Sequence, residues 1–146
     1  MSIPHKKSRE IIFLILFSQD VNETEGHSLE SLVRQELEIS KKSFKLAEKR
    51  VEKIKEYLNT IDLIIQRISA QYDYEKLQKV EKNILRLSSY EILYDADIPP
   101  KVAIAEAIRL AKKFSTPQAS KFINALLDHL YKESIGETNL DKVNVG

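Results

Sequence analysis

Val80-Glu-Lys-Asn-Ile-Leu-Arg-Leu-Ser-Ser-Tyr-Glu-Ile-Leu-Tyr-Asp-Ala-Asp-Ile-Pro-Pro-Lys-Val-Ala-Ile-Ala-Glu-Ala-Ile-Arg-Leu-Ala-Lys-Lys-Phe114, resumed at Lys121-Phe-Ile-Asn-Ala-Leu-Leu-Asp128, is the stretch whose reading decides the fold. It reads as three helices joined by two proline-containing corners. A helix from about Tyr74 to Tyr94, interrupted near Gln78, leads into Pro99 and Pro100. Asp97 is a candidate cap for the next turn. Proline at a first helical position costs little, because its missing N–H would have no helical partner there. The helix that follows is expected to bury Ile104, Ala107, Ile108 and Ala111. Ser115-Thr116-Pro117 repeats the device, with Thr116 as N-cap and Pro117 in the first turn. The last helix presents Ala119, Phe122, Ile123, Leu126, Leu127 and Leu130 to a core and is expected to stop near Gly136. Residues 137–146 then read as a polar, disordered tail.

Upstream of this stretch the clearest signal is one apolar stripe. Phe44, Ala47, Val51, Ile54, Leu58, Ile61, Ile65 and Ile68 recur at alternating steps of three and four, the spacing of one helix face. The stripe suits a core-facing helix in a bundle better than a coiled-coil seam, because the other helices are themselves strongly apolar. Asn59-Thr60 is where the long helix would break in two, and Tyr72-Asp73 marks the next break. Nearer the N-terminus, the run from Ile11 to Phe17 is continuously apolar. Periodicity alone leaves helix and buried strand open there. With no other strong strand to pair with, the expectation is a buried helix from about Ser8 to Val21. A polar loop, Asn22 to Ser28, follows, with Ser28 as N-cap of a short helix ending near Leu37.

Composition agrees with helices. The chain has 146 residues, only three glycines and four prolines, and is rich in Lys, Glu, Leu and Ile. That length fits one domain that buries roughly two-thirds of its unfolded surface. The absence of cysteine excludes disulfides and thiolate metal sites and suits a reducing compartment. The apolar run from Ile11 to Phe17 is too short to span a bilayer and has no small-residue cleavage site after it. A cytoplasmic protein without membrane contact is expected. Net charge is only +1, so any nucleic-acid site must come from local clustering.

Arrangements for catalysis are poor. There is no thiol, no glycine-rich phosphate loop and no pair of histidines at helical spacing. His5, His27 and His129 are scattered along the chain, so neither a metal site nor a cofactor is expected. Glu48, Lys49, Glu52, Lys53 and Glu56 read as a solvated helix face with ion pairs one turn apart. No nucleophile–base pair emerges, and the expectation is a protein that is not an enzyme.

Binding chemistry is more suggestive. His5-Lys-Lys-Ser-Arg9 sets Lys6, Lys7 and Arg9 ahead of the first acid, Glu10. Such a basic arm suits phosphate neutralisation on RNA, and also suits a frayed, solubilising terminus. Phe17 reads either as a core residue or as an aromatic that stacks on an unpaired base, worth about 1–3 kcal/mol. In Lys121-Phe122-Ile123-Asn124, the lysine and asparagine point away from the core face, and a surface asparagine can bond base edges. Gln118 and Ser120 lie at a helix start, whose positive dipole end suits phosphate. Arg86, Tyr90 and Glu91 read as a structural cluster, with the arginine paired to Glu91 or to a neighbouring helix end.

These motifs resemble the NusB family of bacterial transcription antitermination factors. The family pattern runs I-L-R-x-x-x-Y-E, then D-(I/V)-P-x-K-V-A-I-x-E-A-(I/V)-x-L-A-K-x-F, then K-F-(I/V)-N-x-(V/L)-L-D. The match is specific over about residues 80–128 and diffuse before residue 70. Ser8-Arg9-Glu10 and Leu16-Phe17 echo the family's basic N-terminal segment, with fewer arginines. Ala105, Ser115 and Ala125 stand where relatives often carry asparagine, glycine and glycine. Relatives with an appended methyltransferase domain are much longer than this chain.

The resemblance implies an all-α fold of about seven helices in two small bundles packed into one domain over residues 1–136, with a basic arm at 1–9. It implies binding of boxA RNA in ribosomal RNA transcripts together with NusE, a small-subunit ribosomal protein. The complex would join the RNA polymerase elongation complex with other Nus factors and suppress termination. DNA, membranes and cofactors have no part in this. The RNA surface so implied comprises Lys6, Lys7, Arg9, Phe17, Gln118, Lys121, Phe122 and Asn124. Many relatives carry an acid at the position of Gln118, so a neutral side chain there would remove repulsion from RNA. A second reading remains open: a helical adaptor that contacts protein and binds little RNA of its own.

Overall fold

The computed structural model describes residues 5–21, 26–72 and 77–145, without the side chains of residues 5, 26–30, 32 and 137–145. The described residues form seven α-helices and no strand: α1 (His5–Val21), α2 (Gly26–Leu37), α3 (Lys41–Lys55), α4 (Leu58–Ser69), α5 (Lys79–Tyr94), α6 (Pro100–Phe114) and α7 (Pro117–Val145). A 3₁₀ turn, Ala70–Tyr72, extends α4. The all-α expectation holds, including the helical choice for Ile11 to Phe17. The chain divides into two compact units, residues 1–58 and 59–146.

In the first unit α1 packs against α2 and α3. Ile11, Ile12, Phe13, Ile15 and Leu16 are all buried, and a helix that is apolar on nearly every side has no other stable place. It starts at His5, three residues before the expected Ser8. The short second helix likewise starts early, at Gly26, so Ser28 lies inside α2 and does not cap it. Residues 22–25 of the expected loop lie outside the described residues. α2 ends at a left-handed residue, Glu38 (φ 51°), and the Ile39 N–H reaches back to the Arg34 carbonyl at 3.1 Å. That six-to-one bond closes the helix in the Schellman manner, with Ile39 buried behind it. Ser40 then caps α3, its Oγ accepting the Ser43 N–H at 3.0 Å.

The apolar stripe is borne out. Phe44, Ala47, Val51, Ile54, Ile61, Ile65 and Ile68 are buried, and Leu58 is half-buried. The break in it falls at Glu56-Tyr57, not at Asn59-Thr60. Glu56 and Tyr57 donate to Lys53 and Ile54, three residues back, at 3.2 and 2.9 Å. Tightening of the last turn ends α3, which residue propensity does not reveal.

In the second unit α6 packs against both α5 and α7, and α5 also meets α7. Ile84, Leu85, Leu87, Ala103, Ala107, Leu110, Ala111, Ile123, Leu126, Leu127 and Leu130 form its core. The expected interruption near Gln78 is present, with Gln78 the N-cap of α5 and Lys79 its first residue; residues 73–76, where the expected helix would begin, lie outside the described residues. Several expectations are corrected here. Asp97 caps nothing: its N–H donates to Asp95 Oδ1 at 3.0 Å in a local turn, and Pro99 is the N-cap of α6. Ile104 and Ile108 are half-buried, with Ala103 and Leu110 taking the core positions. Phe122 is half-buried and not in the core. α7 continues past Gly136 to Val145. One glycine costs a helix only about 1 kcal/mol relative to alanine, and Gly136 does not adopt the left-handed conformation of a helix stop. The side chains of the tail lie outside the described residues.

The second proline corner forms as expected. Pro117 opens α7 and Thr116 Oγ1 accepts the Ala119 N–H at 3.0 Å. Ser115, at that corner, donates to Glu81 Oε2 at 2.6 Å. That hydroxyl gives the buried Glu81 carboxylate a partner.

Candidate RNA interface

The candidate residues fall into two groups, one in each unit. On the first unit, Lys6, Lys7 and Arg9 occupy the opening turns of α1. Lys6 is exposed and Lys7 half-buried, whereas Arg9 is buried, 7% exposed. No acid lies in that first turn. Two lysines at the positive end of a helix dipole mildly oppose folding and together favour an anion there. Phe17 is half-buried and stacks on Phe13, with ring centroids 5.9 Å apart and planes 27° apart. The ring packs on Phe13 while part of the side chain meets solvent, a placement between the two readings of this residue.

On the second unit, α7 sorts its residues cleanly. Gln118, Lys121 and Asn124 are exposed, and Phe122 is half-buried beside them. Ser120 turns inward, its Oγ donating to the Pro117 carbonyl at 2.7 Å, so it is a local tie and not part of the outward face. The first turn of α7 contains no acid. The outward surface therefore offers one amide, one ammonium group, a second amide and a half-buried aromatic ring. That set suits phosphate and unpaired bases without repelling either.

Sequence reasoning missed what holds Phe122. Tyr72, 38% exposed at the end of the 3₁₀ turn, meets the Phe122 ring edge-on with centroids 6.4 Å apart. Its hydroxyl lies 3.1 Å from His129 Nδ1 and 3.4 Å from the Ala125 carbonyl, and its ring meets His129 edge-on at 5.9 Å. One turn on, Glu133 accepts two bonds from the Arg67 guanidinium of α4, that from Nη1 at 2.9 Å, and lies 3.6 Å from His129 Nε2. The hydrogen bonds from Arg67 hold the Glu133 carboxyl below its ordinary range, aided by the Arg67 and His129 charges and opposed by partial burial. Lys132 is pushed up by its hydrogen bond with Asp128, at 2.9 Å. The contacts of Arg67 with Glu133 and of Tyr72 with Ala125 and His129 could not be paired from spacing, because their partners lie 53 to 66 residues apart.

The Arg86 cluster is structural, as expected, but its partner comes from α4. Arg86 Nε and Nη2 grip the Asp62 carboxylate at 2.9 and 2.7 Å, and Nη1 reaches Asn83 Oδ1 at 3.2 Å. This two-pronged bond ties α4 to α5. Tyr90 and Glu91 are buried. No helix among the described residues is long and apolar enough to cross a membrane.

Known proteins share this sequence and fold. The NusB family model matches residues 6–132. The transcription antitermination protein NusB of Thermodesulfovibrio yellowstonii is 37% identical over 142 residues, covering 89% of this chain and 93% of that protein. Among solved structures, NusB of T. maritima superposes with a TM-score of 0.71 at 35% identity, covering 91% of this chain and 94% of that one. A chain from a crystal structure of antitermination factors NusB and NusE in complex with double-stranded RNA has a TM-score of 0.71 at 28% identity, covering 87% and 95%. With the family pattern running through α5, α6 and α7 and the match extending over nearly the whole chain, this protein belongs to the NusB family.

Proposed function

We propose that this chain is a transcription antitermination factor that binds boxA RNA of ribosomal RNA transcripts together with NusE. Within the RNA polymerase elongation complex, and with other Nus factors, it suppresses termination. It works in the cytoplasm as a binding module and not as an enzyme. Lys6, Lys7 and Phe17 of α1, and Gln118, Lys121, Phe122 and Asn124 of α7, meet the RNA; Arg9, enclosed in protein, supports α1 from within. The observation that carries this reading is the outward face of α7. A half-buried aromatic ring, two amides and a lysine stand together there with no carboxylate in the first turn, which is what single-stranded RNA requires of a protein surface.

Fluorescence anisotropy of a labelled boxA-like RNA against a scrambled control, with and without NusE, tests it. Selective binding that tightens with NusE is expected. Equal, weak binding to both RNAs while NusE still binds would replace this reading with the protein adaptor, which the burial of Arg9 and the resulting thin basic set favour.

A further inference from the structure

α3 concentrates positive charge. Over Lys41–Lys55 it carries seven lysines and arginines against two glutamates, a local net charge of +5 in a chain whose total is +1. The next most basic helix, α6, has four against one. The buried side of α3 is Ser43, Phe44, Ala47, Val51 and Ile54. On the opposite side Lys42, Lys45, Lys49 and Lys53 follow one another at steps of three, four and four, and all are exposed. They form a row about 17 Å long at 1.5 Å per residue. Both glutamates stand on the other flank of the exposed face, where Glu52 meets Lys55 at 3.8 Å; Lys45 alone of the row reaches across, to Glu48 at 3.5 Å. Lys42, Lys49 and Lys53 have no ion pair among the described residues.

Such a row works against its own helix. Like charges three and four apart cost roughly 0.2–0.5 kcal/mol per pair, and Lys41 and Lys42 oppose the dipole at the N-terminal turn. A polyanion laid along the row would remove both penalties. The row holds no aromatic and no amide, only lysines beside the exposed Leu46, so it has the means to grip phosphates and none to read bases. α3 packs on α1 in the same unit, and α1 carries Lys6 and Lys7.

We propose that the Lys42–Lys45–Lys49–Lys53 face of α3 is a second, sequence-independent RNA contact that holds the phosphate backbone of transcript flanking the boxA element. The inference rests on the RNA-binding function proposed above and extends it to a separate surface.

The test compares the wild type with a triple variant, Lys42→Gln, Lys49→Gln and Lys53→Gln, and with the corresponding triple arginine variant. Glutamine and arginine are both good helix formers at exposed sites, and thermal melts check that folding is unchanged. The probes are a short boxA-like RNA, the same RNA extended on both flanks, a scrambled RNA of the extended length, and vesicles rich in phosphatidylglycerol, titrated over a range of salt. For the glutamine variant on extended RNA, boxA-like or scrambled, the slope of log affinity against log salt should fall by roughly two units, about 0.7 per lost phosphate contact. Affinity at low salt should fall roughly tenfold to a hundredfold, with the preference for boxA over scrambled RNA unchanged. The arginine variant should behave as wild type.

An unchanged slope on extended RNA overturns the proposal. So does equal loss in the arginine variant, which would signal altered packing. Loss of vesicle binding with RNA binding intact would assign the face to a membrane and overturn it as well. If the wild type shows no preference for boxA, the antitermination reading falls, yet a reduced slope on scrambled RNA would still support the α3 face.

Discussion

The candidate groups on α1 and α7 offer similar chemistry, basic side chains and an aromatic, but the fold treats them differently. On α7 the polar residues and Phe122 face outward because the helix has a distinct apolar side, Ile123, Leu126, Leu127 and Leu130. On α1 nearly every side is apolar, so the fold draws in Arg9 and Glu10 with the core and leaves Phe17 only partly open. An amphipathic helix separates its binding residues from its packing residues; an all-apolar helix makes them compete. The α7 patch therefore stands ready for a ligand, while the α1 residues carry a double duty in folding and binding.

The strongest way to break this contrast is to loosen the frame behind α7. Replacing Arg86 by alanine leaves Asp62 without its partner and Asn83 without one bond. Breaking a largely buried pair costs about 3 kcal/mol, here somewhat less because Asp62 is 36% exposed. Urea denaturation should show that loss, and RNA affinity should fall only as far as the folded fraction does. A full loss of binding in protein that remains folded would place Arg86 in the interface itself.

The contrast is sharpened by comparing two alanine substitutions. Phe122→Ala should cost about 1–3 kcal/mol in RNA affinity with a smaller loss of stability. Phe17→Ala should show the reverse balance, because its stack on Phe13 belongs to the packing of α1. If the two variants lose binding and stability in equal proportion, α1 and α7 do not differ in the way proposed.

Gln118→Asp separates folding from binding on α7 alone. An acid in the first turn should raise stability by about 0.3–1 kcal/mol through the helix dipole, while its charge weakens RNA binding severalfold. Tighter or unchanged RNA binding would remove Gln118 from the interface.

The smallest effect concerns acid. Arg67 lowers the Glu133 carboxyl below its ordinary 4.5, so the unfolded chain binds more protons there than the folded one. The contribution is present above that pH and is lost as pH falls through the lowered value. With Arg67 half exposed, it amounts to less than about 1 kcal/mol. An Arg67→Gln variant should show a shallower decline of stability as pH falls below the ordinary carboxylate value, and an unchanged decline would mean that the pair contributes nothing.

Local patterns made much of this molecule legible. The stripe from Phe44 to Ile68 and the Thr116-Pro117 start of α7 depend on neighbours within a turn or two, whereas the helical reading of Ile11 to Phe17 rests on the lack of a partner strand elsewhere in the sequence. Where the reading went astray, the cause was competition beyond that range. Pro99 took the cap that Asp97 was expected to supply, and Ala103 and Leu110 took core positions that Ile104 and Ile108 were expected to fill. Helix α7 ran through Gly136 because a single glycine is a weak stop. At the candidate site the outward set of Gln118, Lys121 and Asn124 followed from helical periodicity, whereas Tyr72 behind Phe122 did not.

Sequence alone thus determined the helical class, the apolar stripe of α3 and α4, the family pattern and the charge on α3, since all of these are properties of residues close together along the chain. Tertiary structure alone decided that Arg86 pairs with Asp62, that Arg67 meets Glu133, that Tyr72 steadies Phe122 and that Arg9 is enclosed. Those outcomes depend on which helices pack together and at what distance. The energy of a hydrogen bond or a buried charge is set by the neighbour that arrives, however far away along the chain it began.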